Sequence, residues 1–271
     1  MSNVISLSPN AYRSIFISDV HLGTKDCNAE YLSDFLKTIQ CERLYLVGDI
    51  VDLWNMRNSV YWPQSHNEVI RTILKLSKNG TKVFLVPGNH DELLRDFVDH
   101  SFGNIEIHKR IVHKTPDNRK FLVLHGDEFD RVVACNKLMS LIGDFAYDGL
   151  LFSNRIINII RKKNGLNYWS LANYIKSKVK NAISYIEKFE DAVTRAAKHD
   201  RMDGVICGHI HHAEIKQLND VVYCNTGDWV ESCTAIAESF SGELKLVHWT
   251  EQKSYLKSDK AFKETRLKKT A

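Results

Sequence analysis

Five short motifs in this chain contain side chains that commonly bind metal ions. They are Asp19-Val20-His21, Gly48-Asp49-Ile50-Val51-Asp52, Gly88-Asn89-His90-Asp91, His125-Gly126-Asp127 and Gly208-His209-Ile210-His211. Together they supply seven candidate ligands: Asp19, His21, Asp49, Asn89, His125, His209 and His211. This mixture of imidazole and oxygen suits Mn, Fe, Zn or Co better than Mg or Ca, which prefer oxygen alone. Two such ions about 3.5–4 Å apart suit displacement at phosphorus, because both the attacking and the leaving oxygen need charge stabilisation.

Each motif alone has an ordinary structural explanation. A single histidine at the end of a strand is usually a hydrogen-bonded structural residue. The segment 208–212 could form an exposed polar turn, and Asp49 could be a turn carboxylate or a helix N-cap. Because all five motifs occur in series, each at the end of a predicted strand, we favour a metal-dependent hydrolase over five separate coincidences.

The surrounding pattern predicts an α/β sheet that positions these motifs. Apolar strand-like runs alternate with amphipathic helical stretches, at residues 14–18, 29–39, 44–47, 67–78 and 83–86. Such alternation predicts right-handed βαβ crossovers and a parallel sheet, whose ligands bind beyond the carboxyl ends of the strands. In an extended segment, Asp19 and His21 would point the same way, as would His209 and His211.

The second half of the chain changes character after a strand at 121–124. Residues 128–199 contain helical spacing and no strand pattern, so we predict a helical insertion, or cap, within a single domain of residues 1–271. Further strands are predicted at 204–207, 221–224, 234–237 and 244–248, and a basic tail occupies 253–271.

The order and spelling of the five motifs resemble the calcineurin-like metallophosphoesterase superfamily, whose pattern is D-x-H, G-D-x-x-D, G-N-H-[DE], H-G-D or H-G-H, and G-H-x-H. The resemblance implies a β-sandwich flanked by helices (αββα), which is α/β, or α+β in some schemes, with the helical insertion. It also implies hydrolysis of a phosphoester or pyrophosphate by a hydroxide that two metal ions activate. Manganese is our first expectation, with Fe, Zn or Co as alternatives.

The resemblance also implies a role for each residue. The first metal would bind Asp19, His21, Asp49 and His211; Asp49 would bridge to the second, which Asn89, His125 and His209 complete. His90 would face the leaving group as an acid or transition-state stabiliser, oriented by Asp91. Asp52 and Asp127 would support ligands or loops rather than bind metal.

Over nearly its whole length the chain is similar to the UDP-2,3-diacylglucosamine diphosphatase-like group within this superfamily. The likeness extends through the segments 62–66, 168–171 and 224–229. It implies cleavage of the pyrophosphate of a lipid A precursor, with release of UMP. At position 90 the best-studied branch has Arg, whereas this chain has the imidazole of the general superfamily pattern.

The predicted insertion combines apolar and basic side chains. Residues 149–186 contain seven Lys or Arg and no Asp or Glu. We name Tyr168, Trp169, Lys176 and Lys180 as candidate substrate contacts, beside peripheral contact with an anionic membrane. Core packing, a solvated basic face and nucleic-acid binding are the alternatives for these side chains.

Composition and charge limit the class of protein and its cellular location. Formal charge +4, with 44% hydrophobic and 26% charged residues, is ordinary for a globular protein and too weakly basic to indicate nucleic acid. The six cysteines form no CxxC pair, which favours a reducing cytoplasm, with peripheral contact at the inner membrane face. We expect no signal peptide and see no apolar run near the roughly 20 residues that span a bilayer. The oligomeric state is open.

Three hypotheses therefore remain. The first is a hydrolase of UDP-2,3-diacylglucosamine or a similar acylated nucleotide. The second is a phosphodiesterase or phosphatase for soluble nucleotides or phosphoproteins. The third, a non-enzymatic metal-stabilised binding protein, is disfavoured because no ligand position of the motifs is missing.

Overall fold

The structure, a computed structural model, describes residues 10–130, 154–166, 170 and 180–251. Tyr168, Trp169 and Lys176 lie outside these residues, as do the basic tail and about half of the predicted insertion. Lys180 begins a helix, but its side chain also lies outside the description. Within the described ranges, no helix has both the length and the apolar character needed to cross a membrane.

The described strands, in chain order, are β1 (Ala11–Ile17), β2 (Gln40–Val47), β3 (Lys82–Val86), β4 (Ser101–Phe102), β5 (Ile105–Ile107), β6 (Ile111–Lys114), β7 (Lys120–Val123), β8 (Gly204–Cys207), β9 (Glu214–Leu218), β10 (Val221–Asn225), β11 (Thr234–Glu238) and β12 (Leu244–His248). The described helices are α1 (Ala29–Thr38), α2 (Leu53–Met56), α3 (Gln64–Lys78), α4 (154–163) and α5 (Lys180–His199). Short 3-10 turns occupy Glu92–Phe97 and Asp127–Phe129.

These strands form two sheets. One sheet has the order β12-β11-β1-β2-β3-β5-β4, and the other has the order β6-β7-β8-β10-β9. The pairs β1–β2, β2–β3 and β7–β8 are parallel, which confirms the predicted βαβ core. Antiparallel strands close both sheets, with β11 against β1 and β9 against β10. The carboxyl ends of the parallel strands are therefore available to form one site.

Alternation along β1 shows how the sheets and helices stack. Ile15 and Ile17 pack into the layer between the first sheet and helices α1 and α3. Phe16, which points the opposite way, packs between the two sheets with Val123 and Ile206. All five side chains are fully buried, and burial of each stabilises the fold by about 1.5–3 kcal/mol. The period of two in a strand thus builds a helix–sheet–sheet–helix sandwich, as the resemblance implied.

Helix α5 supplies the outer layer on the second sheet. Its Phe189 and Val193 are fully buried against Leu122 and Val205 of that sheet. The C-terminal part of the predicted insertion, 128–199, is therefore part of the sandwich core. The apolar stripe of the sequence describes a cap helix and a core helix equally well, and the bounds 128–199 of the insertion stay a prediction.

Several strands were not predicted. In β6 the pattern is inverted, since His113 is buried and Val112 is 51% exposed. Strand β9 is half-exposed along its length, and β4 and β5 are only two and three residues long. These are edge or near-edge strands whose side chains lack a clear apolar alternation, which explains why they escape a pattern search.

A buried charged cluster joins the two sheets. Glu238 of β11 accepts two hydrogen bonds from Arg13 of β1, at 2.7 and 2.9 Å. Its carboxylate also lies 3.1 Å from Nε2 of His113 in the other sheet, and His113 Nδ1 lies 2.9 Å from the Tyr45 hydroxyl. Burial by itself would raise the pKa of Glu238, but the neighbouring His113, Ser14 and Arg13 outweigh it and lower the pKa.

Replacing the central carboxylate should weaken the fold. Glu238→Gln leaves a buried guanidinium without its counter-charge, so we expect a loss of about 3 kcal/mol in the free energy of unfolding, measured by urea denaturation at pH 7. Because the native pKa is lowered, this stabilisation is present above the unfolded pKa of about 4.3 and is lost as the pH falls through the native value. The gap between the two proteins should therefore persist from pH 7 to about pH 4.3 and shrink only at lower pH.

Glu243→Gln is the matched control. Glu243 is 59% exposed and lies 3.2 Å from Lys245, an exposed pair that contributes less than about 1 kcal/mol. Equal losses for the two variants would contradict the structural role of the buried cluster.

Candidate metal centre

All five motifs follow directly on strands at one end of the sandwich. Asp19, Asp49 and Asn89 lie just beyond β1, β2 and β3 of the first sheet. His125 and His209 lie just beyond β7 and β8 of the second sheet. Parallel neighbours end at the same edge, and the sandwich brings the two edges face to face. The seven predicted ligands therefore come from both sheets.

The ligand segments are not extended. Five of the seven predicted ligands have left-handed backbone, with φ of 50° at Asp19, 52° at His21, 53° at Asp49, 70° at His209 and 53° at His211. The expectation that alternation in an extended segment aligns their side chains is wrong. Left-handed turns direct the side chains inward instead, at about 1–2 kcal/mol each for a residue with a Cβ.

The two aspartates share one arrangement. Asp49 Oδ1 accepts a hydrogen bond from the backbone N–H of His90 at 2.8 Å, and Asp19 Oδ2 accepts one from the backbone N–H of His209 at 2.9 Å. The other oxygen, Asp49 Oδ2, lies 3.3 Å from His125 Nε2 and 3.9 Å from His21 Nε2. In each carboxylate, one oxygen fixes a loop and the other faces the neighbouring ligands.

The imidazoles are held in a similar way. His125 Nδ1 lies 2.9 Å from the carbonyl oxygen of Val47, and His21 Nδ1 lies 3.0 Å from Asp52 Oδ2. Acceptors on Nδ1 hold a proton there, so Nε2, the atom that turns toward Asp49 in both rings, is the nitrogen that would bind a metal ion.

The chemistry of the donor set fits divalent metal ions. Three groups have ligand atoms within 4.8 Å of one another: Asp19 with His21 and His211, His21 with Asp49 and His90, and Asp49 with His125 and His209. Several buried atoms in this cluster make no well-aligned hydrogen bond within the described part of the chain, namely Asp19 Oδ1, His21 Nε2, Asn89 Oδ1 and His125 Nε2. Buried polar atoms are rarely left unsatisfied, so their convergence indicates positions for cations.

The electrostatics keep the carboxylates ionised. Burial would raise the pKa of Asp19, but the charge and hydrogen bond of His211 outweigh it and lower the pKa to about 2. Burial acts likewise on Asp49, where the charge of His125 lowers the pKa well below its ordinary value. Conversely, burial would lower the pKa of His125, and the charge of Asp49 raises it to about 10. At neutral pH both aspartates are therefore anionic.

Asp91 does not orient the His90 ring as expected. Its carboxylate is fully buried and accepts backbone N–H groups from Gly88 at 2.6 Å, Ile50 at 2.8 Å and Asp49 at 3.3 Å. The side chain of Asp91 in the third motif therefore hydrogen-bonds to the backbone of the second motif. The carboxylate beside His90 belongs to Asp52, whose Oδ1 lies 3.1 Å from His90 Nδ1.

Asp52 thus contacts two imidazoles, through Oδ2 to His21 and Oδ1 to His90. It also accepts the backbone N–H of Asn55 at 2.8 Å as the N-cap of α2. Asp127 is bonded instead to Arg95 at 2.7 Å, at the edge of the site. Of the two supporting aspartates predicted, only Asp52 contacts the cluster of imidazoles directly.

Two motif glycines make room for ligands. A Cβ on Gly48, where φ is 84°, would collide with the ring of His125. A Cβ on Gly88 would collide with the carboxylate of Asp49. Glycine is therefore required at both positions by close approach, and at Gly48 also by backbone conformation.

The segment 224–229 supports the ligand loops. Asn225 Nδ2 donates to the carbonyl oxygen of Gly208 at 2.8 Å, and the backbone N–H of Trp229 donates to the carbonyl oxygen of Asp19 at 3.0 Å. Its sequence likeness to the diphosphatase-like group therefore has a structural basis next to the site.

One contact of the site has no signal in the sequence. Asp130 Oδ1 lies 2.7 Å from Nε2 of His209. The side chains of the predicted substrate contacts lie outside the described part of the chain; they are Tyr168, Trp169, Lys176 and Lys180.

Comparisons with known proteins show which proteins the chain resembles. Over 233 residues the chain is 29% identical to a UDP-2,3-diacylglucosamine hydrolase of Neisseria gonorrhoeae, covering 80% of this chain and 89% of the relative. A UDP-2,3-diacylglucosamine hydrolase of Porphyromonas gingivalis is 26% identical over 240 residues, covering 79% and 89%. A solved archaeal phosphodiesterase is 15% identical with a TM-score of 0.42, covering 86% of this chain and 98% of that chain.

A family model described as calcineurin-like phosphoesterase matches residues 12–213, a range that contains all five motifs. Its match to well over half of the chain, together with the hydrolase relatives, supports an enzyme rather than the non-enzymatic hypothesis. The chain belongs to the calcineurin-like phosphoesterase family and is a metal-dependent phosphoesterase.

Proposed function

We propose that the chain cleaves a pyrophosphate or phosphodiester with two divalent ions bound among the seven predicted ligands. One ion would be held by Asp19, His21, Asp49 and His211, and the other by Asp49, Asn89, His125 and His209. The position of Asp49 carries the proposal, because its Oδ2 lies 3.9 Å from His21 Nε2 of one proposed site and 3.3 Å from His125 Nε2 of the other. Manganese is the first choice, with Fe, Zn or Co compatible with the same imidazole-rich set.

Two bound ions supply Lewis acidity that activates water at neutral pH and neutralises charge on the phosphoryl oxygens. The chain fixes the geometry through left-handed turns and backbone hydrogen bonds to Asp19 and Asp49. Because these groups are oriented before the substrate arrives, little reorganisation is needed during the reaction.

His90 is suited to protonate the leaving group. Its side chain is 22% exposed and its ring lies edge-on to His21, with centroids 4.7 Å apart. On another side the exposed Trp54 contacts it edge-on at 5.4 Å. Nδ1 faces Asp52 Oδ1 at 3.1 Å, so we assign to Nε2 the role of holding and transferring a proton.

We further propose UDP-2,3-diacylglucosamine, or a similar acylated nucleotide, as the substrate. Relatives with that name cover most of both chains. A cleft of about 320 Å³ lies between the loop after the first motif and helix α4. Its lining combines apolar Tyr61, Ile159 and Leu166 with cationic Lys25 and Lys162. An acylated anion requires both kinds of contact.

Helix α4 also favours contact with a membrane surface. Its Ile156, Ile159 and Ile160 are between 44% and 54% exposed, and Arg161 and Lys162 follow. Exposed apolar side chains next to cations suit the interface of an anionic bilayer. We therefore propose a peripheral position at the cytoplasmic face of the inner membrane, where an acylated substrate would reside.

Removal of the bridging carboxylate tests the two-ion assignment. Asp49→Ala should reduce turnover of bis-p-nitrophenyl phosphate at least about 1,000-fold, or about 4 kcal/mol, because it removes a ligand from both ions. Metal analysis should show fewer than two ions per chain. Asp99→Ala is the control, since Asp99 is an exposed aspartate with the same left-handed backbone, at φ 66°. Full turnover and metal content in Asp49→Ala would refute the bridge.

The contact of Asp52 with two imidazoles predicts that its replacement lowers kcat. Asp52→Asn preserves size but removes the charge that orients His21 and His90, so we expect kcat to fall about 10- to 100-fold. Asp127→Asn, which loses a bond to Arg95 only, should change kcat by about twofold or less. Similar kcat values for the two variants would show that Asp52 does not orient the site.

The substrate is tested by comparing dispersed UDP-2,3-diacylglucosamine with the unacylated UDP-sugar, with UMP release as the readout. We expect kcat/KM at least about 100-fold higher for the acylated compound, because burial of four methylenes provides about 3 kcal/mol. Ile159→Asp should abolish that preference without changing turnover of bis-p-nitrophenyl phosphate. Phe240→Asp, the same change at an exposed apolar residue outside the cleft, should preserve it. Faster turnover of a dinucleotide would favour the soluble-nucleotide alternative.

A further inference from the structure

His209 receives a contact that lies outside the five motifs. Its Nε2 lies 2.7 Å from Oδ1 of Asp130, and the hydroxyl of Tyr185 donates to the same oxygen at 3.1 Å. Asp130 follows the fourth motif, whereas Tyr185 belongs to α5. Two residues that are 55 positions apart in the chain therefore meet beside one predicted metal ligand.

Packing restricts the same ring. Phe189, one turn beyond Tyr185 on α5, is fully buried with its ring centroid 6.0 Å from that of His209. The ring of His125 lies 5.1 Å away on another side. Gly126, at φ 121°, allows this approach, because a Cβ there would collide with Phe189. The His209 ring is therefore confined, and Asp130 determines which nitrogen carries the proton.

We propose that Asp130 is a positioning residue of the metal centre, which holds His209 as the Nε2–H tautomer so that Nδ1 binds metal. Tyr185 would in turn fix Asp130. This inference rests on the proposed function, in which His209 is a ligand. One ring nitrogen of His209 has the ligand atoms of Asp49 and His125 within 4.8 Å. Since Nε2 is bonded to Asp130, we assign that role to Nδ1.

The comparison with the other ligands supports this assignment. The rings of His21 and His125 each have an acceptor on the nitrogen that turns away from Asp49, namely Asp52 and a backbone carbonyl. For His209 the equivalent acceptor is Asp130, whose side chain is 49% exposed. A carboxylate acceptor of this kind also raises the basicity of the bound imidazole.

Metal affinity provides the first test. In full-length protein stripped of metal, Mn²⁺ titration followed by electron paramagnetic resonance should show one of two sites weakened about 10- to 100-fold by Asp130→Ala, with the other unchanged. Asp130→Asn should give a smaller loss in the same site, and Tyr185→Phe should follow in the same direction. Asp220→Ala is the matched control, since Asp220 is 84% exposed and pairs with Lys198.

Unchanged affinity of both sites in Asp130→Ala and Asp130→Asn would overturn the inference. Asp130 is half-exposed, so we expect the thermal unfolding midpoint of the stripped variants to match that of Asp220→Ala. If Asp130→Ala fails to fold, the isosteric Asn variant decides the question on its own.

Histidine NMR provides a second readout that does not depend on metal or turnover. Long-range proton–nitrogen spectra of the stripped protein should show the His209 proton on Nε2, and Asp130→Ala should shift the tautomer distribution toward Nδ1–H. A wild-type proton on Nδ1 would overturn the inference, because that nitrogen could not then bind metal.

His209→Ala separates this inference from the proposed function. If this variant binds two ions at unchanged affinity, His209 is not a ligand and the site assignment itself fails. If it loses one site while both Asp130 variants keep two at wild-type affinity, only the role of Asp130 is refuted.

Discussion

Two backbone-to-carboxylate hydrogen bonds hold the site together. The backbone N–H of His209, from the second sheet, donates to Asp19 of the first, and the backbone N–H of His90 donates to Asp49 within the first sheet. Each bond uses one oxygen of a buried aspartate, and the other oxygen faces the neighbouring ligands. Since the first of them crosses between sheets, the sandwich and the ligand cluster form together. A shift of one sheet would separate the ligands before it exposed much of the core.

The same architecture stores strain. Left-handed backbone at five ligand positions costs about 1–2 kcal/mol each, and such strain persists only where the surroundings impose it. Here the loops after β1 and β2 run side by side. The backbone N–H groups of Asp19, Val20 and Leu22 donate to carbonyls of the second motif, and Asp91 binds three further N–H groups. Rigidity of this kind is required for a site whose chemistry depends on fixed charges.

Much of this centre could be predicted from the sequence, because apolar β-branched runs mark strand ends and parallel strands end together. The positive φ of the five ligand residues could not be predicted, since it depends on contacts between loops. The sequence also could not show that Asp52, rather than Asp91, lies beside the ring of His90, because the neighbour of His90 in sequence is not its neighbour in space. The role of Asp130 could not be predicted either. Its partners Tyr185 and His209 lie 55 and 79 residues away in the sequence, and the contact depends on how α5 packs on the second sheet.

The metal centre and the cleft proposed to bind the substrate lie in different parts of the chain, yet they share a loop. His21 begins the segment that continues through Lys25 into the lining of the cleft. His66, also in that lining, accepts the backbone N–H of Gly23 at 3.1 Å. A ligand in the cleft would therefore contact residues anchored two to four positions from a predicted metal ligand. This loop cannot move far without displacing His21. In the proposed function, one rigid element would therefore position the acyl and phosphoryl groups, and binding energy from the remote group would help to orient the reacting one.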